Sequence, residues 1–100
     1  MDDLYINKFI HEKARLLILT HLSSTERREV TFNDLKAALD MTAGNLSVQL
    51  RNLEEAEYVR VIKVIEDRKT LTKVSLTAKG YEEFMKYLNN LEKLIRSIRE

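Results

Sequence analysis

The 100-residue sequence predicts a mainly α fold with one small β-hairpin, an α+β arrangement. Three observations lead there. Most of the chain carries apolar residues at helical spacing. One stretch near residue 60 switches to β-branched residues with a period of two. Proline is absent and glycine occurs only twice, so regular elements joined by short turns are expected.

A first helix is predicted from Leu4 to Leu22. Phe9, Ile10, Leu16, Leu17, Leu19 and Leu22 give it a broad apolar face, opposite polar Lys8, Glu12, Lys13 and Arg15. Ser23-Ser24-Thr25 ends it, and Glu26-Arg27-Arg28-Glu29 reads as a charged connector. Thr31 then caps a short second helix with Asp34 at its third position and Leu35, Ala38 and Leu39 as its buried stripe. Asp40-Met41-Thr42 forms a turn. Thr42 caps a third helix from about Ala43 to Ala56, with Leu46, Leu50 and Leu53 facing inward. Two short helices separated by about three residues make a helix-turn-helix.

The period changes after Glu57. Tyr58 to Ile65 reads as a strand, Glu66-Asp67-Arg68-Lys69 as a charged turn, and Thr70 to Leu76 as the returning strand, with Thr72, Val74 and Leu76 alternating against Lys73 and Ser75. Thr77 caps the last helix. On it Tyr81, Phe84, Leu88, Leu91, Ile95 and Ile98 recur at alternating spacings of three and four, an a/d seam sustained for nearly three heptads. That helix is longer than the body before it needs, and its outer half is expected to pair with the same helix of a second chain. The order of three helices, hairpin and long helix predicts a winged helix-turn-helix in a single domain over residues 1–100. The helix-turn-helix spans about 31–57, the wing about 58–76 and the dimerisation helix about 77–99.

Composition excludes several classes. A hydrophobic fraction of 44% with 33% charged residues describes a folded chain with a charged surface. No apolar run approaches the roughly 20 residues that span a bilayer, and Met1-Asp2-Asp3 has the wrong charge for a secretory signal. No membrane partner is therefore expected, and the cytoplasm is the expected location. Without cysteine there are no disulfides, thiolate nucleophiles or thiolate metal sites. His11 and His21, ten residues apart on the predicted first helix, would stand about 15 Å apart and could not share a metal. No glycine-rich phosphate loop, nucleophile elbow or acid–base carboxylate pair is present, and Glu54-Glu55 and Glu82-Glu83 read as helix surface. Neither catalysis nor a metal or cofactor is expected.

Net charge is only +1, but its distribution is uneven. Residues 1–57 carry 7 basic and 10 acidic side chains, residues 58–80 carry 6 and 2, and residues 81–100 carry 4 and 4. A local basic patch is what attraction to phosphate needs. The third helix supplies the complementary feature: no residue from Ala43 to Gln49 is charged. An ordinary solvated face would carry Glu and Lys as helix formers, whereas small neutral hydrogen-bonding groups suit close contact with a groove. Gln49 and Asn52 can bond adenine bidentately, Ser47 a base or a phosphate, and Val48 can pack on a thymine methyl. Gly44 and Asn45 open the helix after the Thr42 cap, where backbone N–H groups and the helix dipole favour a phosphate. Arg51, further along, suits a phosphate or a guanine. At the wing tip Arg68 and Lys69, with Lys63 and Lys73 on the strands, predict a phosphate clamp. A charged tip that merely guards strand edges is the plain alternative, and Glu66 and Asp67 weigh against the clamp unless neighbouring cations pair with them.

The stretch from Thr42 to Val59, with its Leu46-Ser47-x-x-Leu50-x-x-Leu53-Glu54 core, and the Leu76-Thr77-x-x-Gly80 that follows the hairpin resemble winged-helix regulators of the MarR/ArsR type. The similarity is to their short single-domain archaeal and bacterial members, and it covers about residues 13 to 80. The resemblance implies major-groove reading by Asn45, Ser47, Val48 and Gln49, a wing tip at Arg68 and Lys69, and dimerisation through the terminal helix. Two departures stand out. Many relatives have glycine where this chain has Glu57, at a position that often ends the helix in a left-handed conformation, so either Glu57 there costs about 1 kcal/mol or the turn differs. The metal-sensing branch uses cysteine thiolates that this chain lacks.

The expected function is sequence-specific binding of double-stranded DNA by a homodimer. Two third helices would lie in successive major grooves roughly 34 Å apart, with repression by blocking polymerase the expected outcome. An alternative is a winged-helix module that docks another protein and never touches DNA, which the near-neutral charge and Glu66-Asp67 favour. A regulator responsive to a small-molecule effector between its first and last helices is a third, though nothing in the sequence identifies a ligand.

Overall fold

Local hydrogen bonding decides where the first helix begins. In the computed structural model, which describes residues 5–99, the Asn7 Oδ1 accepts the N–H groups of Phe9 and Ile10 and holds residues 8–11 in a turn. The Glu12 carboxylate then accepts from Ala14 N and Arg15 N and caps α1, Lys13–Ser24. The helix is therefore shorter at its start than the apolar spacing predicted, because side-chain acceptors offered the backbone a competing arrangement. Leu4 lies outside the described residues. Ile10 is nevertheless fully buried, entering the core from the turn, and Leu17, expected on the apolar face, is partly exposed. His11 consequently precedes the helix, and its Nδ1 lies 2.6 Å from the hydroxyl of Tyr87.

The charged connector contains two elements the sequence did not reveal. Glu26–Arg28 forms a 3-10 turn in which Arg27 and Arg28 take positive φ of 63° and 52°, and Glu29–Thr31 is a strand, β1. The Arg28 guanidinium stacks 3.7 Å from the centre of the Tyr81 ring, a cation–π contact that anchors this turn to the last helix. Thr31 caps α2, Phe32–Leu39, by accepting from Asp34 N. Leu35 is the buried residue of α2, whereas Ala38, predicted in the stripe, is exposed. Asp40 ends the helix with φ 52°, its N–H returning to the carbonyls of Ala37 and Lys36.

Helix α3 spans Ala43–Glu55, and Leu46, Leu50 and Leu53 are its buried residues, as the spacing predicted. Strands β2, Val59–Glu66, and β3, Lys69–Leu76, pair antiparallel from Val59↔Leu76 to Glu66↔Lys69. Asp67 and Arg68 connect them with φ of 49° and 65°, the paired positive angles of a type I′ hairpin turn. β1 adds to the far side of β3, giving a three-stranded sheet in the order β1-β3-β2. Helix α4 runs from Ala78 to Arg99. Ile10, Ile18, Leu19, Leu22, Leu35, Leu46, Leu53, Val74, Phe84 and Tyr87 make the buried centre between α1, the helix-turn-helix, the sheet and the first half of α4.

Two side chains on α4 correct the predicted seam. Phe84, expected at a dimer contact, turns into the protomer core and lies parallel to Tyr87, ring centres 6.2 Å apart. Tyr87 fell off the three–four spacing, yet it is buried. Burial pushes its phenol above the ordinary value, and its hydroxyl meets His11 instead of water. The apolar residues left outward on α4 are Leu88, Ile95 and Ile98, with Leu91 half-buried.

Candidate nucleic-acid interface

Thr42 fixes the start of α3: its hydroxyl accepts from Asn45 N at 3.1 Å. Gly44 follows, exposed, with nothing within 4 Å of where a Cβ would stand. No contact inside the protomer explains a glycine there. Asn45, Ser47, Val48 and Arg51 are exposed along the outer face, Val48 at 50%. Gln49 and Asn52 are half-buried, and the Gln49 Oε1 is enclosed without a hydrogen-bond partner. Among the described residues no intramolecular hydrogen bond engages the side chains of Asn45, Ser47, Arg51 or Asn52. Asn45, Ser47, Val48 and Arg51 thus lie open on the outer face of α3, whereas Gln49 and Asn52 are drawn partly into its margins.

The wing stands beside it. The joint between α3 and β2 is Glu57, with φ 66°: of the two outcomes open at this position, the residue takes the left-handed conformation and the turn is kept. Glu57 N–H and Tyr58 N–H bond back to the carbonyls of Glu54 and Leu53. The Thr77 hydroxyl donates toward the carbonyls of Glu57 and Tyr58 and accepts from Gly80 N, so one residue closes the joint and caps α4. The Glu54 carboxylate accepts from Val61 N at 3.3 Å, tying the end of α3 to the outer edge of β2. Sequence reasoning had placed Glu54 on plain surface, and only the fold brings it to that strand edge.

Charges on the wing sort by face. Glu66 is paired with Lys73 at 2.8 Å, and that hydrogen bond and the attached charge hold the Lys73 ammonium above its ordinary value. Glu66 is therefore neutralised by a neighbour, and Lys73 is occupied. Arg68 occupies the turn and Lys69 opens β3; both are exposed. Between α3 and the sheet runs a cleft of about 350 Å³, bordered by Phe32, Ser47, Leu50, Arg51, Lys63 and Thr72. Among the described residues there is no cluster of three His, Asp or Glu placed to hold a metal, and no helix is long and apolar enough to cross a membrane.

An exposed helix with free neutral hydrogen-bonding groups, braced by a second helix and flanked by a cationic hairpin, defines a winged helix-turn-helix nucleic-acid binder. The comparisons agree. Residues 14–95 match the family described as the winged helix DNA-binding domain, and the chain belongs to that family. It is 33% identical over 91 residues to an uncharacterized protein of Methanocaldococcus jannaschii, spanning 91% of this chain and 97% of that one. The solved transcriptional regulator homologue of Pyrococcus horikoshii OT3 superposes with a TM-score of 0.84 at 34% identity, over 90% of this chain and 87% of the other. AbsC, a MarR family transcriptional regulator from Streptomyces coelicolor, gives 0.67 at 30% identity, over 79% of this chain and 53% of its own. The protein is thus a member of the winged helix DNA-binding family, and its fold is that of solved transcriptional regulators.

Proposed function

We propose that this protein binds double-stranded DNA sequence-specifically as a homodimer and represses the promoters it occupies. The observation that carries the reading is the outer face of α3. Asn45, Ser47, Val48, Gln49 and Asn52 offer short neutral donors, acceptors and a methyl-sized contact, free of intramolecular partners and beginning at a glycine that no internal contact requires. An enclosed amide oxygen without a partner costs about 1–3 kcal/mol. Swinging Gln49 out to an adenine edge would relieve that cost and supply a bidentate contact. Thr42 and the first turn of α3 would receive a backbone phosphate. Arg51 would take a phosphate or guanine, and Arg68 and Lys69 would grip the strand beside the groove.

Dimerisation would use the outward apolar residues of α4 and set two α3 helices roughly 34 Å apart, on a site with approximate two-fold symmetry. The Lys73–Glu66 pair answers the objection to a wing clamp for Glu66 but withdraws Lys73 from the clamp, and Asp67 has no ion pair among the described residues, so the clamp rests on Arg68 and Lys69.

Selection of duplexes from a random library, then fluorescence anisotropy on the recovered site at several salt concentrations, tests the reading. Affinity should fall steeply and linearly in log–log form as salt rises. Gln49→Ala should relax the preference at one base pair in each half-site, at a cost of about 1–3 kcal/mol per contact. Arg68→Ala should weaken binding to every sequence. No enrichment, or binding indifferent to salt, would leave a protein-docking module as the better account.

A further inference from the structure

We propose that Glu54 is a positioning residue for DNA binding: its carboxylate, tied to the Val61 N–H, fixes the β2–β3 hairpin at a set angle to α3. The inference rests on the DNA-binding reading above and names the side chain that holds its two contact elements in register.

Backbone hydrogen bonding fixes which way Val61 points. The Thr77 N–H bonds to the Tyr58 carbonyl, so Tyr58 and every second residue after it turn their backbone groups toward β3. The N–H of Val61 therefore points away from β3, and β2 is an edge of the sheet. Alone, that donor would face water. Glu54 accepts it at 3.3 Å, and the main-chain carbonyl of the same residue accepts the Glu57 N–H at 2.9 Å. One residue thus holds the chain on both sides of the turn at Glu57, the position with φ of 66° where α3 gives way to the wing.

The tie stands where apolar anchoring of β2 stops. Val59 is buried, Val61 is half-buried against the core, and Lys63 and Ile65 beyond it are exposed. About 20 Å of strand separates Val61 from the turn at Asp67. A tilt of about 10° at Val61 would therefore move Arg68 and Lys69 by about 3 Å, enough to break a hydrogen bond to a phosphate. Charge argues the same way. Glu54 is exposed and borders hollows that also hold Arg51 and Lys63 on one side and Arg60 and Lys79 on the other. Among the described residues none of these cations lies within 4 Å of its carboxylate. An uncompensated carboxylate beside a DNA-facing surface repels phosphate. What accounts for an acid there is the donor its oxygen accepts, not its charge.

The experiment measures amide hydrogen exchange at Val61 and affinity for the selected duplex in wild type, Glu54→Gln, Glu54→Asp and Glu54→Ala, each checked for native melting. Gln keeps the reach and an acceptor but loses the charge, whereas Asp keeps the charge and falls short by one methylene. Glu54→Gln should leave Val61 protected and bind at wild-type affinity or better. Glu54→Asp and Glu54→Ala should speed exchange at Val61 and weaken binding about fivefold per protomer, hence about twenty-five-fold for the dimer, the size of one lost hydrogen bond in each. In a background carrying Arg68→Gln and Lys69→Gln, Glu54→Ala should cost no further affinity, because its effect runs through the wing. If Glu54→Asp behaves as wild type while Glu54→Gln behaves as Glu54→Ala, charge and not reach matters, and the positioning role is wrong. Unchanged exchange in Glu54→Ala, undiminished affinity in that variant, or an equal loss in the wing background would overturn it too, with the DNA reading intact. A wild type that enriches no duplex overturns both.

Discussion

Gly80 and Gly44 are the chain's two glycines, and their surroundings are opposite. A Cβ at Gly80 would lie 2.1 Å from the Tyr58 carbonyl oxygen, a backbone atom that cannot rotate away. Thr77, three residues earlier, holds that same carbonyl through its hydroxyl and its N–H. The Leu76-Thr77-x-x-Gly80 run is thus a clasp between the end of the wing and the start of α4, with the glycine required by close approach and the threonine by three hydrogen bonds through its side chain. Gly80→Ala should cost about 3 kcal/mol, the upper part of the overpacking range, because backbone must move. Gly44→Ala should do the reverse, adding about 0.5–1 kcal/mol through helix propensity, since nothing meets the new methyl. Under the proposed function that same methyl should weaken DNA binding by crowding the approaching phosphate. Denaturant melts and anisotropy on both variants separate the two roles, and a Gly44→Ala protein with undiminished affinity would remove Gly44 from the interface. Sequence spacing marked both glycines, but only the Tyr58 backbone, brought in from 22 positions away, explains why one of them is structural.

At the scale of elements, the parts legible in the sequence were those whose pattern is local. Helix α3, its Thr42 cap, its three buried leucines and the hairpin all follow from spacing and side-chain chemistry within a few residues. β1 was not legible, because three residues of Glu-Val-Thr carry no period and become a strand only when β3 arrives beside them. Tyr87 was missed for a related reason. The three–four count assigns one stripe to a helix, whereas α4 serves the protomer core with Phe84 and Tyr87 and leaves Leu88, Ile95 and Ile98 outward. At the joint between α3 and β2 the sequence left open a strained Glu57 or a different turn, and the strained residue is what the fold adopts. Glu57 holds φ 66°, and among the described residues its side chain has one ion pair, to Lys79, which is long and exposed and contributes little. Glu57→Gly should stabilise the fold by about 0.5–1 kcal/mol, raising Tm by roughly 2–5 °C for a chain of this size. An unchanged or lower Tm would mean that the Lys79 contact outweighs the backbone strain.

The whole molecule is elongated, 56 Å by 25 Å by 23 Å, and α4, 22 residues and so about 33 Å long, accounts for that shape. Its last turns carry Ile95 at 41% and Ile98 at 77% exposure, with the Glu92–Arg96 pair beside them, a pattern of apolar seam and charged flank. Exposed apolar side chains at helical spacing on a projecting helix are stable in water when a second such helix covers them, which is the basis of the homodimer reading. Ile95→Lys with Ile98→Lys should abolish the dimer in sedimentation while leaving the protomer fold intact, since both side chains are exposed, whereas Leu91 packs against the protomer core. The consequence for DNA follows from effective concentration. One protomer on its half-site holds the other near its own, so the intact dimer should bind a two-half-site duplex far more tightly than a single half-site. The double variant should bind both duplexes alike, at the single half-site affinity of wild type. A wild type that sediments as a monomer, or a double variant that still prefers two half-sites, would show that the outward face of α4 serves something other than pairing.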